Sequence, residues 1–322
     1  MKMKVLPFLL IIILSSLVMI HAQPVKEHGQ LWVDGTKMKD KNGNVTVLHG
    51  MSFGWHNWWP RFYNEKTVAW LHKDWGCDIL RLAIGAEPDS GFIKQPEWSR
   101  KLVYNCVETA IKEGIYVIID WHSHNIRLTE AKAFFTEMAQ KYGKHPNIIY
   151  EIFNEPDNET WPEIKAYSTE IIATIRKYDA NNIILVGTPR WDQEVNIAAD
   201  DPITGYKNIM YTLHFYAATH KQWLRDKADY AIKKGLPLFA SECSSMFANG
   251  NGKLDYDEMQ RWLDWMAKEQ ISWAIWSISD KNETCSVLKP TASSEGNWKE
   301  ADLNESGIYD RKLLRGFGLD KK

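Results

Sequence analysis

Charge of one sign, cysteine motifs and glycine-rich phosphate loops are all scarce in this chain, and each scarcity removes a class of function. Lys and Arg number 39 and Asp and Glu 41, for a formal net charge of −2, with the two signs mixed along the chain. Nucleic acid and anionic membrane surfaces select blocks of positive charge, so neither is expected as a partner. The 4 cysteines, Cys77, Cys106, Cys243 and Cys285, form no C-x-x-C pair, which removes zinc-ribbon spacing. They are left as buried free thiols or as the couplings Cys77–Cys106 and Cys243–Cys285. No G-x-G-x-x-G occurs, so the phosphate-binding first turn of a dinucleotide fold is missing. No Pro/Ser/Thr-rich linker, repeat array or low-complexity tail divides the chain.

Long apolar runs are equally rare. The one that stands out, Val5 to Ile20, follows Lys2 and Lys4, contains Ser15 and Ser16, and leads to the small Ala22. A spanning helix wants about 20 apolar residues. A charged start, a short apolar middle and a small-residue exit instead read as a secretory signal peptide over residues 1–22. Residues 23–322 then form one domain of a secreted protein, extracellular or periplasmic, with no membrane contact after the leader is removed. The N-x-[ST] sequons at Asn44, Asn158, Asn282 and Asn304 matter only in a host that glycosylates.

Tryptophan is what the chain has in excess: 16 residues. Indole needs a partner for its N–H and is used sparingly in cores, so this number suggests a groove that stacks flat ligands, such as sugar rings. Apolar runs recur at Val47–Phe53, Ile79–Ile84, Ile115–Trp121, Ile148–Phe153, Ile183–Val186, Ile209–Tyr216, Leu236–Ala240 and Ile271–Ile278. Continuous apolar strands are the mark of a parallel sheet covered on both faces. Between them lie amphipathic patterns: Val68–Leu71 before Gly76, Val103–Ile111 before Gly114, Ala131–Met138 before Gly143, Ile171–Ile175, Ala228–Ile232 before Gly235, and Met259–Met266. Gly just past a helix is a stop signal. The alternation predicts an α/β fold, a single-domain (β/α)8 TIM barrel; a doubly wound sheet is the second choice.

Active sites of such barrels lie at the C-terminal ends of the strands. The polar residues there are Arg81, Asp120 with His122 and His124, Asn154-Glu155, His214 and Tyr216, Ser241-Glu242, and Trp276 with Asp280 and Lys281 beyond it. Glu155 and Glu242 close the fourth and seventh runs and should face each other across the mouth. Acetal hydrolysis needs a proton for the leaving oxygen and a carboxylate for the cationic carbon, and a pair about 5–5.5 Å apart gives retention through a covalent intermediate. Asn154 suits a hydrogen bond to a sugar 2-hydroxyl. His214 and Tyr216 suit orientation of the two carboxylates, and Arg81 favours a charged nucleophile. Asp120 reads as a structural acid below the site. Trp70, Trp75, Trp262 and Trp265, at helical spacing, read as packing residues, while Trp55 and Trp59 stay open between the two roles.

These motifs resemble glycoside hydrolase family 5. Asn154-Glu155-Pro156 after a strand, His214-Phe215-Tyr216, Tyr116 to His122, Ile183 to Thr188 and Ile271 to Lys281 are similar to that family's bacterial-type endo-β-1,4-glucanase (cellulase) subgroup, from about Gly29 to Gly318. The resemblance implies Glu155 as acid/base and Glu242 as nucleophile, with Arg81, His122, Asn154, His214 and Tyr216 supporting them. It also implies Trp276 under the sugar at the cleavage point, and Trp58, Trp191, Lys281 and Glu283 against neighbouring sugars. Cys243 and Ser244 depart from the aromatic and Gly common after the nucleophile, and the loop after the first strand lacks a His that many relatives carry near Gly54. The expected partner is a β-1,4-glucan polysaccharide or oligosaccharide, cut internally by a monomer without metal or other cofactor. Mannan, xyloglucan and mixed-linkage glucan are the alternative polymers. A metal-dependent barrel using His122 and His124, completed by His214 with Glu155 or Glu242, and a non-catalytic sugar-binding barrel, are the remote alternatives. Alternation along a strand sends His122 and His124 to opposite faces unless the backbone turns.

Overall fold

The eight apolar runs become eight parallel strands closed into a barrel. The computed structural model describes residues 23–320, so the leader expected over 1–22 lies outside the described residues. A small antiparallel hairpin, β1 (Trp32–Asp34) and β2 (Lys37–Lys39), precedes the barrel. The barrel strands are β3 (His49–Phe53), β4 (Ile79–Gly85), β5 (Tyr116–His122), β6 (Ile148–Glu151), β7 (Ile183–Val186), β8 (Ile209–Tyr216), β9 (Leu238–Ser244) and β10 (Trp273–Ile278). Each pairs with its sequence neighbour, and β10 closes on β3 with Trp273 opposite His49.

Helices Glu65–Trp70, Pro96–Glu113, Leu128–Tyr142, Trp161–Arg176, Gln222–Lys233 and Tyr256–Glu269 fall where the amphipathic patterns lie. Of the four further α-helices among the described residues, Pro24–His28 and Pro189–Asp192 are single turns, and Val195–Asp200 and Glu305–Gly318 left no such pattern. Val195–Asp200 is too short for a period to show. Glu305–Gly318 buries Ser306, Gly307, Asp310 and Leu314, a stripe too small and polar to read as an apolar face. Gly114 ends its helix in the left-handed region at φ 75°, as a glycine stop should. Gly143 does not: its φ is −62°. Glycine is needed there because a Cβ would sit 2.5 Å from the Ala139 carbonyl.

Side-chain alternation sorts the strands into two apolar layers. Leu80, Leu82, Val117, Ile119, Tyr150, Ile184, Val186, Leu213 and Phe215 face outward into the layer shared with the helices, where Trp75, Trp262 and Trp298 are also buried. Ile79, Tyr116, Ile118, Ile149, Ile183, Leu185, Met210 and Phe239 fill the lower barrel interior, closed from beneath by Leu31 and Met38 of the hairpin region. Further along the same inward faces the residues turn polar: Arg81, Asp120, Glu151, Thr212, His214 and Ser241, all buried. An apolar floor under a charged upper layer is therefore written into alternate positions of each strand.

One irregularity shapes the upper layer. Opposite Thr212 and His214 of β8 stand Phe239 and Glu242 of β9, so β9 carries one extra residue there. Strict alternation would send Ser241 and Glu242 to opposite faces. The bulge lets both turn inward, the usual service of such an insertion beside a site. All four cysteines are buried free thiols, so neither expected coupling is made. Burial raises each thiol above its ordinary value.

Candidate active site

Arg81, fully buried on β4, is the hub of the barrel mouth. Its Nε and Nη2 donate to Glu151 at 2.6 and 3.2 Å, its Nη1 to Glu242 Oε2 at 2.9 Å, and its Nη2 to Asn154 Oδ1 at 2.6 Å. Asp120 Oδ2 lies 3.0 Å from the same Nη2 and 2.6 Å from His122 Nδ1. A buried cation is sustained only by such partners. Burial would raise Glu151, yet Arg81 and His214 hold it down at about 2. Asp120, expected as a structural acid below the site, is buried against Arg81 and His122.

Glu242 accepts from Arg81 on one oxygen and from Tyr216 Oη at 2.6 Å on the other. Burial and the charge of Glu155 raise this carboxyl, against Arg81, His214 and Tyr216. Glu155 follows β6 in a segment tied to β5 through Asn154 N–H to the Trp121 carbonyl. Its Oε1 is 2.9 Å from His214 Nδ1. Burial raises Glu155 too, but the hydrogen bond and charge of His214 bring it below its ordinary value. One oxygen of Glu155 and one of Glu242 lie within 4.8 Å of each other. Asn154, turned by its bond from Arg81, keeps a buried Nδ2 with no partner among the described residues, a donor suited to a hydroxyl.

The His122–His124 alternation fails for a local reason. β5 stops at His122, the chain turns with Ser123 N–H donating to the Trp121 carbonyl, and His124 swings to 3.8 Å from Glu155 Oε2. Burial and Arg81 push His122 well below the ordinary imidazole value. Its ring stacks on Trp276 at 5.4 Å with 5° between planes. Trp55 meets the edge of His122 at 4.4 Å and stacks on Trp58 at 4.6 Å, so Trp55 belongs to this wall. Trp58 and Trp191 are exposed, at 53% and 48%. A cavity of about 520 Å³ beside Glu155 is lined by Trp191, Gln193, His214, Tyr216 and His220. Lys281 and Glu283 pair with each other at 2.5 Å. Asp280 pairs with Arg61 at 2.7 Å. Trp75, Trp262 and Trp265 are core, and Trp70 and Trp59 pack against it.

Among the described residues, two clusters bring carboxylate and imidazole atoms within 4.8 Å: Glu151, Asp192 and His214, and Glu155, His214 and Glu242. Neither joins His122 to His124, although the second is the set of His214, Glu155 and Glu242 from which the metal reading would complete its site. In both, carboxylate oxygens already accept from Arg81, whose fixed charge opposes a cation. Glu151 and Asp192 went unrecognised in the sequence. Glu151 had a signal: an acid inside an apolar run must be paired if the strand is buried. Asp192 had none, because it reaches the interior only through a backbone turn.

Comparison with known proteins gives concordant findings. The family described as Cellulase (glycosyl hydrolase family 5) matches residues 39–282. An endoglucanase of Clostridium saccharobutylicum is 44% identical over 295 residues, covering 89% of this chain and 65% of the relative. Endoglucanase 5 of Pectobacterium carotovorum is 41% identical over 301 residues, covering 91% and 59%. The chain thus spans about three fifths of the length of these curated relatives. A solved structure from Cytophaga hutchinsonii superposes with a TM-score of 0.90 at 44% identity, covering 92% of this chain and 98% of that one. The catalytic domain of a Thermobifida fusca endoglucanase, solved in complex with cellotetraose, superposes at 0.86 with 32% identity, covering 91% and 100%.

Proposed function

The chain belongs to glycosyl hydrolase family 5, the cellulase family, and from that premise we propose that it is a secreted, retaining endo-β-1,4-glucanase. Glu155 is the acid/base and Glu242 the nucleophile. The observation that carries this reading is the pair itself: two carboxylates within 4.8 Å, each held by a different partner. That spacing suits direct attack on the sugar, whereas inversion needs a gap of about 6.5–9.5 Å for water.

Ser241 Oγ donates to Glu151 at 2.7 Å, so it accepts from Nε2–H of His214 at 2.9 Å. Nδ1 is then the nitrogen that shares a proton with Glu155. Moving that proton onto Glu155 makes it the acid and removes the charge that raises Glu242. Glu242, held by Arg81 and Tyr216, then attacks the anomeric carbon as the glycosidic oxygen takes the proton from Glu155. In the second half, Glu155 draws a proton from water, which hydrolyses the ester on Glu242. Asn154 Nδ2 holds the 2-hydroxyl, Trp276 lies under the sugar at the cleaved bond, and Trp58 and Trp191 flank it, with Lys281 and Glu283 beyond.

The substrate assignment draws on the named activity of the relatives and on aromatic walls that are exposed, which favour internal cleavage. Export follows from residues 1–22 as a leader. The test is reducing-sugar release from carboxymethylcellulose and from galactomannan, with chelator present, by wild type and Glu242→Gln. Release from the cellulose derivative that is lost by about 10⁴-fold or more in the variant is the expected result. Activity on galactomannan alone overturns the substrate, and activity persisting in Glu242→Gln overturns the mechanism.

A further inference from the structure

Residues 190–192 form a left-handed turn: Arg190 and Trp191 have φ 55° and Asp192 has φ 59°. Bulky residues rarely adopt this region, which costs about 1–2 kcal/mol each, so something must hold them there. Trp191 N–H donates to the Pro156 carbonyl at 2.9 Å, next to Glu155. Asp192 Oδ1 accepts from Thr188 N–H. The turn leaves Trp191 half exposed and Asp192 fully buried, with Asp192 Oδ2 3.3 Å from His214 Nε2.

We propose that Asp192 is a positioning residue that acts through His214, fixing the proton on the His214–Glu155 hydrogen bond from which the leaving group is protonated. The proposal rests on Glu155 being the acid/base. The geometry joins three groups through four atoms: Asp192 Oδ2, 3.3 Å from Nε2 without a hydrogen bond, Nε2 and Nδ1 of the ring, and Glu155 Oε1, 2.9 Å from Nδ1. Ser241 and Asp192 both face Nε2, so that nitrogen keeps its hydrogen. Any further proton on the pair lies between Nδ1 and Glu155.

Three other acids bear on the imidazole, Glu151 with an oxygen 3.5 Å from Nε2 and, farther off, Glu242 and Asp120. Arg81, His122 and His220 oppose them. Glu151 is already paired with Arg81 and Glu242 with Arg81 and Tyr216, whereas among the described residues the cation beside Asp192 is His214. Burial lowers the proton affinity of His214, and Asp192 is the foremost group raising it. Burial also pushes Asp192 well up, with His214 the foremost charge opposing it. The same short turn sets Trp191 on the cavity beside Glu155, joining the aromatic platform to the proton's position.

The experiment is the pH dependence of kcat/KM on phenyl and dinitrophenyl β-cellobiosides. It compares wild type with Asp192→Asn, which keeps the Thr188 contact and tolerates positive φ, and with Asp192→Gly, which tolerates it better. The basic limb should fall by about one to two pH units, as expected for loss of one adjacent charge, with the acidic limb unmoved. The loss should be about tenfold larger for phenyl, which needs the proton, than for dinitrophenyl, which does not. Equal losses on both substrates, or an unmoved basic limb, overturn the proposal. A nitrogen NMR shift of His214 in the wild type gives a check independent of the variants: a doubly protonated ring at pH 6 is expected, and a neutral one overturns it. Glu155→Ala, run alongside, separates the two readings. If it keeps full turnover of the phenyl substrate, the acid assignment itself fails. If it loses that turnover while Asp192→Asn leaves the limb in place, only the role of Asp192 fails.

Discussion

The two sides of the barrel mouth hold the same chemical group by different means. Glu242 faces a guanidinium that stays charged at any working pH and a tyrosine hydroxyl 2.6 Å away. Glu155 faces an imidazole 2.9 Å away, whose charge depends on its own neighbours. A permanent cation stabilises an anion and nothing else. A titrating partner can supply a proton and take it back. The division of labour proposed for the two glutamates thus rests on what they touch, and each half can be tested separately.

The largest effect should come from removing the permanent charge. Arg81→Met strands Glu151, Asp120 and Glu242, and losing one partner of a buried pair costs about 3–5 kcal/mol. Calorimetry should show a melting temperature lower by about 10 °C, and turnover should fall by about 10³-fold or more. A variant that melts with the wild type would remove Arg81 from the centre of the comparison. Tyr216→Phe is gentler. A hydrogen bond to a charged group is worth about 1.5–3 kcal/mol, so kcat should drop about 10- to 100-fold. Because Tyr216 lowers Glu242, the acidic limb of the rate profile should move to higher pH while the basic limb stays.

Ser241→Ala acts on the other half. It removes one neutral acceptor of His214 Nε2–H, worth about 0.5–1.5 kcal/mol, and should cost several-fold in rate. Here the basic limb should move down while the acidic limb holds, the mirror image of Tyr216→Phe. Identical shifts in the two variants would mean that the halves are one coupled unit.

The smallest effect concerns stability away from the reacting groups. Burial holds His56 neutral down to about 3. Its folded pKa is below the unfolded value, so its contribution is complete above about pH 6.5 and is lost as pH falls toward 3. Glu151, held at about 2, contributes fully above about pH 4.5 and loses that contribution as pH falls through 2. The melting temperature should therefore be level near neutrality, fall by a few degrees below pH 6, and fall more steeply below pH 4.

Barrel strands and the two glutamates were legible because period and strand-end position are local properties of a sequence. Each of the eight runs between Val47 and Ile278 became a strand, and the long amphipathic stretches became helices. Boundaries were less legible: β6 ends at Glu151, two residues before its apolar run does, and β9 continues to Ser244, four residues past its own. The bulge in β9 has no sequence mark, although it alone lets Ser241 and Glu242 face the same way. Asp192 was hidden by the left-handed turn that carries it inward. Glu151 was readable but looked like part of an apolar run. Helix Glu305–Gly318 was missed because it packs through small and polar residues. What escaped was set by register and turn geometry rather than by composition.

The closure of β10 on β3 has a consequence for how the chain assembles. His49 and Trp273 are partners, yet more than two thirds of the chain separates them. Until Trp273 has been synthesised, the strands can form at most an open sheet with two bare edges. Contacts this distant in sequence are slow to form. The charged interior around Arg81 is then open at a seam, and the hairpin region beneath has only part of its rim to rest on. The barrel around the two glutamates can therefore close only when the last strand is added, although Arg81 and Glu155 lie far earlier in the chain.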